Sequence, residues 1–246
     1  MTRTTRRRLR VAAAGALLGV TAPLWGPRVL RGIPVFEVTS VEVEGARFVP
    51  EDEIRGRAAI DSAASVWDDA GPWERRVESH PLVDEARVRR RGPGRLAIQV
   101  REVRPVALAA TPELLPVDED GRVLEIDPAR HGLDLPILAE AELEPGGRRL
   151  HDEAQRRALA ALEELRVVDP EFPGRVSEIR VADAESLELL LVDGSRVERL
   201  VLPLRGPALA FRRAAAAIRA VEARGPVETA DARFAGQVVI RPRSGP

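Results

Sequence analysis

Cysteine, lysine, asparagine and tyrosine are all absent from this chain of 246 residues. Without cysteine there is no disulfide, no thiolate nucleophile and no zinc–cysteine site, although the absence assigns no compartment. Lysine, asparagine and tyrosine share AT-rich codons, so their joint absence reads as a GC-rich genome, and all 38 basic residues are arginine. The net charge of −1 excludes a globally basic nucleic-acid binder. Catalytic signatures are missing as well. His80, His131 and His151 are scattered, with no partner suggesting a metal pair or a triad. There is no Gly-x-Ser-x-Gly elbow, and RGPGR (Arg91 to Arg95) lacks the Lys-Ser/Thr and helix of a phosphate loop. VDEDG (Val117 to Gly121) lacks the spaced ligands and closing glutamate of a calcium loop, so it reads as a solvated turn. No catalytic residue, cofactor, metal, nucleic acid or small-molecule substrate is expected.

Hydrophobic content of 44% and charge of 31% suit a folded chain, long enough for two modest domains and a tail. Arg3, Arg6, Arg7, Arg8 and Arg10 precede an apolar run from Val11 to Pro27. As a helix that run spans about 25 Å, and a snorkelling Arg28 with Val29 and Leu30 extends it toward bilayer thickness. The spacing predicts a cytoplasmic tail over 1–10 and a transmembrane helix over 11–30, oriented by the arginine excess. A cleaved signal peptide is the rival, because Val20-Thr21-Ala22 resembles a cleavage site; Pro23 obstructs it and Trp25 suits an uncleaved interfacial helix. Both readings export everything after about residue 31.

Residues 36–104 read as a first unit. In PVFEVTSVEVEGARF the apolar parity shifts between Phe36/Val38 and Val41/Val43, which predicts one strand with a bulge near Thr39-Ser40, ended by Gly45. Pro50, followed by Glu51, Asp52 and Glu53, opens a helix, and a second runs from Pro72 through Val77. A hairpin follows, broken at Gly92-Pro93-Gly94. Ala86, Val88, Leu96, Ile98 and Val100 take its core face, and Arg87, Arg89, Arg91, Arg95 and Arg101 take a face in water. Such a face is ordinarily just solvated; it could also dock an acidic partner or anionic headgroups. Glu85 and Glu102 offset part of its charge.

This strand–helix–helix–strand–strand order resembles a polypeptide-transport-associated (POTRA) domain. FEVTSVEVEG and HPLVDEARVRRRGPGRLAIQVREVRPVALA resemble the bacterial division protein family FtsQ, called DivIB in some bacteria. The matching positions are Gly45, Pro93, and Glu102, Pro105 and Ala107 of a Glu-x-x-Pro-x-Ala segment. The second half is similar too: LLPVDEDGRVLE with its Asp-x-x-Gly turn, then DLPIL, then the amphipathic helix HDEAQRRALAALEEL. Its apolar stripe is Ala158, Leu159, Leu162 and Leu165. Strands RVSEIRV and LELLLVDGSRVERL follow, with a hairpin around Asp193-Gly194, then a helix from Pro207 that stops before Gly225, then DARFAGQVVIRPR.

The resemblance implies an α+β chain: one N-terminal transmembrane helix, a small POTRA domain of three strands and two helices over 36–104, and a larger, mostly antiparallel β domain with two helices over 105–243. Residues 244–246 are expected to be a disordered tail. It further implies a non-enzymatic inner-membrane division scaffold at the septum, with partners among divisome membrane proteins, above all the FtsB-like and FtsL-like pair. Its docking site would be the C-terminal sheet edge, beginning at a basic-aromatic pair, Arg233 and Phe234, and continuing through Gln237, Val238, Val239 and Ile240. A chain-terminal edge strand offers unpaired backbone groups to a partner strand. Two other classes stay open: an outer-membrane assembly or secretion component carrying POTRA domains, and a secreted enzyme with an unrecognised site.

Overall fold

The computed structural model describes residues 30–192, 197–221 and 225–243. The expected 1–10 tail, nearly all of the 11–30 span, the turn at Asp193-Gly194 and the 244–246 tail lie outside them. Among the described residues no helix is long and apolar enough to cross a membrane. The chain divides into two units, 1–103 and 104–246.

In the first unit the parity shift at Thr39-Ser40 has a cause other than a bulge. Pro34–Phe36 is a single 3-10 turn. The Val38 N–H then donates to Ala64 C=O, and the Val66 N–H to Phe36 C=O, so this stretch lies beside residues 64–66. Only at Ser40 does the chain join the sheet, as β1 (Ser40–Glu44). Phe36 and Val38 pack around Val66, Trp73 and Leu96, which explains why they need a parity of their own. Gly45 ends β1 at φ +87°, where a Cβ would meet the Val100 carbonyl oxygen at 2.4 Å.

Helix α1 (Glu51–Ala58) carries three carboxylates in its first turn, against the positive end of its dipole. Helix α2 (Gly71–Glu78) buries Trp73 and Val77. Strands β2 (Val83–Gly92) and β3 (Arg95–Glu102) form the hairpin. The sheet order is β1-β3-β2, with β1 parallel to β3. Ala86, Leu96, Ile98 and Val100 are buried, as the alternation requires, and Val88 is half-buried. Ala97, on the opposite face, is also fully buried.

The second unit is an eight-stranded sheet in the order β11-β10-β9-β8-β7-β6-β4-β5. Its strands are β4 (Ala107–Ala110), β5 (Leu114–Val117), β6 (Ile137–Leu138), β7 (Val176–Asp183), β8 (Ser186–Leu191), β9 (Val197–Pro203), β10 (Val227–Asp231) and β11 (Val239–Pro242). Four neighbour pairs are antiparallel and three are parallel, so the sheet is more mixed than the expectation of a mostly antiparallel domain. Two of the parallel pairs follow from the helices. A parallel neighbour needs a crossover connection, and α3 (Glu153–Val168) joins β6 to β7 while α4 (Pro207–Val221) joins β9 to β10.

One row of the sheet runs unbroken across all eight strands: Ile240, Ala230, Leu200, Leu189, Ile179, Leu138, Ala109 and Leu115. Both helices cover that face, with Ala158, Leu159, Leu162 and Leu165 of α3 and Ala210 and Ala214 of α4 in the same core. Asp152 caps α3 by accepting the Ala154 N–H. The Asp-x-x-Gly turn is held from within, because the buried Asp118 carboxylate accepts the Asp120 and Arg122 N–H groups at 3.0 and 2.8 Å.

Candidate docking edge

β11 lies at the end of the sheet, paired on one side only, with β10. The Arg243 N–H donates to Pro226 C=O, and a bulge in β10 separates Val227 from Thr229. Antiparallel alternation then turns the peptide groups of Val239 and Arg241 toward β10. Ile240 directs its N–H and C=O away from the sheet. Pro242 directs only a carbonyl outward, having no N–H.

The side chains alternate in the other direction. Val238 and Ile240 are half-buried against the core, whereas Val239 is 41% exposed on the opposite face. Gln237 is exposed. Arg233, Phe234 and Gln237, expected on the edge strand, instead occupy the connection between β10 and β11, because the strand begins only at Val239. Gly236 in that connection takes φ +79°. Phe234 is 46% exposed, with the Arg233 guanidinium 5.7 Å from its ring centre.

Arg233 is clamped to Asp231 by three side-chain contacts of 2.8, 3.1 and 3.2 Å, and its own N–H donates to the same carboxylate. Burial pushes the Asp231 carboxyl up, but the guanidinium and backbone N–H of Arg233 outweigh it and hold the group below its ordinary range. Asp183, close to the Ser186 hydroxyl and accepting the Glu185 N–H, is also held low and stands 3.6 Å from Arg233. Nearby on α4, Arg213 reaches the Ala232 carbonyl at 3.4 Å, and its buried Nε has no hydrogen-bond partner among the described residues.

The arginine face of the first unit is partly neutralised. Glu85 holds Arg87 and Arg101, Asp84 also holds Arg101, and Glu44 holds Arg91. The Arg89 and Arg95 side chains have no ion pair or hydrogen bond among the described residues. No group of three His, Asp or Glu side chains among the described residues could hold a metal ion. His80 does have a neighbour, with its Nε2 3.2 Å from Glu53 while its Nδ1 accepts the Leu82 N–H.

Comparison with known proteins decides the family. Residues 36–102 match the POTRA domain of FtsQ type, and residues 107–233 match the C-terminal domain of the cell division proteins FtsQ/DivIB. The chain belongs to the FtsQ/DivIB family. It is 31% identical to the cell division protein FtsQ of Rhodothermus marinus, over 98% of this chain and 89% of that one. Against FtsQ of Myxococcus fulvus the identity is 31%, covering 74% of this chain and 66% of the relative. FtsQ of Salinibacter ruber is also 31% identical, over 97% of this chain and 95% of that one.

The hydrogen bonds of the Glu-x-x-Pro segment give it a structural reading that its residue types alone did not. The Glu102 carboxylate accepts three consecutive backbone N–H groups, those of Arg47, Phe48 and Val49, at 3.0, 2.8 and 2.9 Å. It ties the segment after β1 to the end of β3. Reading by residue type also missed Glu74 and Glu78 of α2, which accept the Val88 and Ala86 N–H groups along the free edge of β2. Their spacing of four on a helix next to an arginine-rich strand was the available signal.

Proposed function

We infer that this chain is a non-enzymatic, membrane-anchored scaffold of the divisome, and that its β11 edge takes a strand from an FtsB-like partner paired with an FtsL-like one. The observation that carries this reading is the outward N–H and C=O of Ile240 on a strand with a single neighbour. The far edge of the same sheet differs. There the Leu124 N–H already donates to Pro116 of β5, and Val117 bridges to Val123. Exposed Val239 and Phe234 supply apolar anchors beside the backbone pairing. Arg213, which has no ion pair among the described residues, favours an acidic residue in the incoming segment. Anchoring by residues 11–30 fits the arginine excess ahead of that run and places the rest of the chain outside the cytoplasm.

The test is capture of the FtsB-like and FtsL-like pair by the full chain. Ile240→Pro removes the outward donor and should abolish capture, and Phe234→Glu should weaken it about tenfold or more. Val239→Pro acts differently, since it removes a donor that β10 needs and should loosen the sheet itself. Full capture by Ile240→Pro and Phe234→Glu chains that keep a native circular dichroism spectrum would place the site elsewhere.

A further inference from the structure

The first unit is close to electrically neutral, and its charges are unevenly paired. Between residues 31 and 103 it carries twelve arginines against fourteen carboxylates, yet five of those arginines gather at one end. Trp67 shows which end. Arg31 donates from Nε to the Trp67 carbonyl at 3.1 Å, and the Arg90 guanidinium stands 4.4 Å over the Trp67 ring. Residue 31, where the expected span stops, therefore shares a contact residue with the hairpin. The hairpin turn is tied to the same end, because Gly94 C=O accepts the Thr39 and Ser40 N–H groups at 2.7 and 3.2 Å.

Two further features mark this end. Ile33 and Val35 are 38% and 60% exposed, an apolar pair in the segment that leads into the sheet. Arg31 and Arg91 are answered by Asp68 and Glu44, but Arg89 and Arg95 have no partner among the described residues. Glu37, Glu42, Asp61 and Asp69 are the nearby carboxylates that hold no arginine in an ion pair, and Asp61 and Asp69 accept the Ala63 and Gly71 N–H groups instead. The end as a whole has about as many carboxylates as arginines, but within it Arg89 and Arg95 stand without an ion pair and Ile33 and Val35 are exposed.

We propose that this end of the first unit docks on an anionic lipid surface, with Arg89 and Arg95 on lipid phosphates and Ile33 and Val35 at the headgroup boundary. The inference rests on the anchored reading of residues 11–30, which puts Arg31 at the bilayer surface. Guanidinium groups bind phosphate with two parallel hydrogen bonds, and basic side chains near an anionic leaflet are drawn to it within a Debye length. The carboxylates of the rest of the unit are repelled by the same surface. Docking therefore fixes which way the unit stands above the membrane, instead of leaving it to swing on the segment after residue 30.

The absence of cysteine allows a single label to be placed anywhere. The full chain carrying Pro93→Cys, labelled with a fluorophore, is reconstituted in nanodiscs whose headgroups bear a quencher. One set is phosphatidylcholine alone, and the other has phosphatidylglycerol as about a third of its lipid, enough to set a negative surface potential. Quenching should be several-fold stronger in the anionic discs, and it should fall to the neutral level when the Debye length shrinks to about 3 Å at 1 M salt. Arg89→Ser with Arg95→Ser should remove the difference, at about fivefold per arginine, without moving the melting temperature, since neither side chain has a partner to lose.

A second label, at Ala16→Cys, reports the anchor through a quencher on the lipid chains. If that label stays in water the anchored reading fails, while charge-dependent flotation of the residue-93 label with anionic vesicles still supports the docking surface. If the residue-16 label is buried but residue 93 is equally quenched in both lipids, the docking proposal is overturned. The same holds if the double substitution changes nothing, and an acidic protein would then be the occupant to seek for these arginines.

Discussion

The Val88 N–H donates to the Glu74 carboxylate across 2.8 Å, joining an edge strand to the side of a helix instead of to another strand. Glu78, one turn further along α2, takes the Ala86 N–H at 3.1 Å. An open strand edge invites pairing with other chains, and these two carboxylates occupy two outward donors in the middle of β2. Replacing both with alanine should destabilise the first unit by about 2–4 kcal/mol, as expected for two hydrogen bonds to charged groups. Urea denaturation measures the loss. Light scattering should show concentration-dependent association of the double variant, because its β2 edge is then free.

The hairpin faces can be separated by substitution. Ile98 is fully buried, so Ile98→Asp should cost several kcal/mol, enough to unfold the unit. Val88 is half-buried, and Val88→Asp should cost less than Ile98→Asp. Arg89→Ala should stay within about 0.5 kcal/mol, as surface changes do. Thermal melts giving equal shifts for the three would reverse the assignment of faces.

Glu102 holds three amides that have no other acceptor in the ladder, so Glu102→Ala should cost about 3 kcal/mol, whereas Glu102→Asp should rescue only part of it because the shorter side chain cannot reach all three. Amide exchange at Arg47, Phe48 and Val49 should accelerate more than exchange in the centre of β3. Uniform acceleration across the unit would mean global unfolding, contradicting a local tie.

The Asp231–Arg233 clamp gives the β10–β11 connection a pH dependence. The Asp231 carboxyl is held below its ordinary value, so its contribution is complete above the unfolded value near 4 and is lost as pH falls through the lower, folded value. Protection of the Val239 and Arg241 amides, corrected for intrinsic exchange, should therefore be constant between about pH 5 and 7 and fall below pH 4. Asp231→Asn should flatten that fall. A wild-type profile with no loss at low pH would remove the clamp from the account.

Strand and helix identities were legible where one local pattern decided them. Period-two alternation gave β2 and β3, and the stripe Ala158, Leu159, Leu162 and Leu165 gave α3, because both patterns answer to a single buried face. The start of β1 was misplaced, since Phe36 and Val38 are as apolar as Val41 and Val43 but pack with residues 64–66 and Trp73. The short strands β4 and β6 gave no clear period, being four and two residues long. The expected docking residues split as well: Arg233, Phe234 and Gln237 fall in a turn, and only Val239 and Ile240 fall in the edge strand, with Val238 just ahead of it.

The sequence by itself determined the family, the two-part organisation, the apolar faces of the long elements and the lack of any recognisable catalytic signature. These depend on residues close together in the chain, where spacing alone fixes which side chains share a face. Tertiary structure decided which strands are parallel, which edge is closed by carboxylates and which peptide group of β11 points outward. Those outcomes depend on backbone partners many residues away, and a backbone N–H carries no mark in the sequence of where its acceptor lies. Ile240 and Val239 are both β-branched and apolar, yet one offers its amide to solvent and the other gives it to β10, because the pairing of Thr229 with Arg241 and of Asp231 with Val239 makes the odd-numbered residues of β11 the hydrogen-bonded ones.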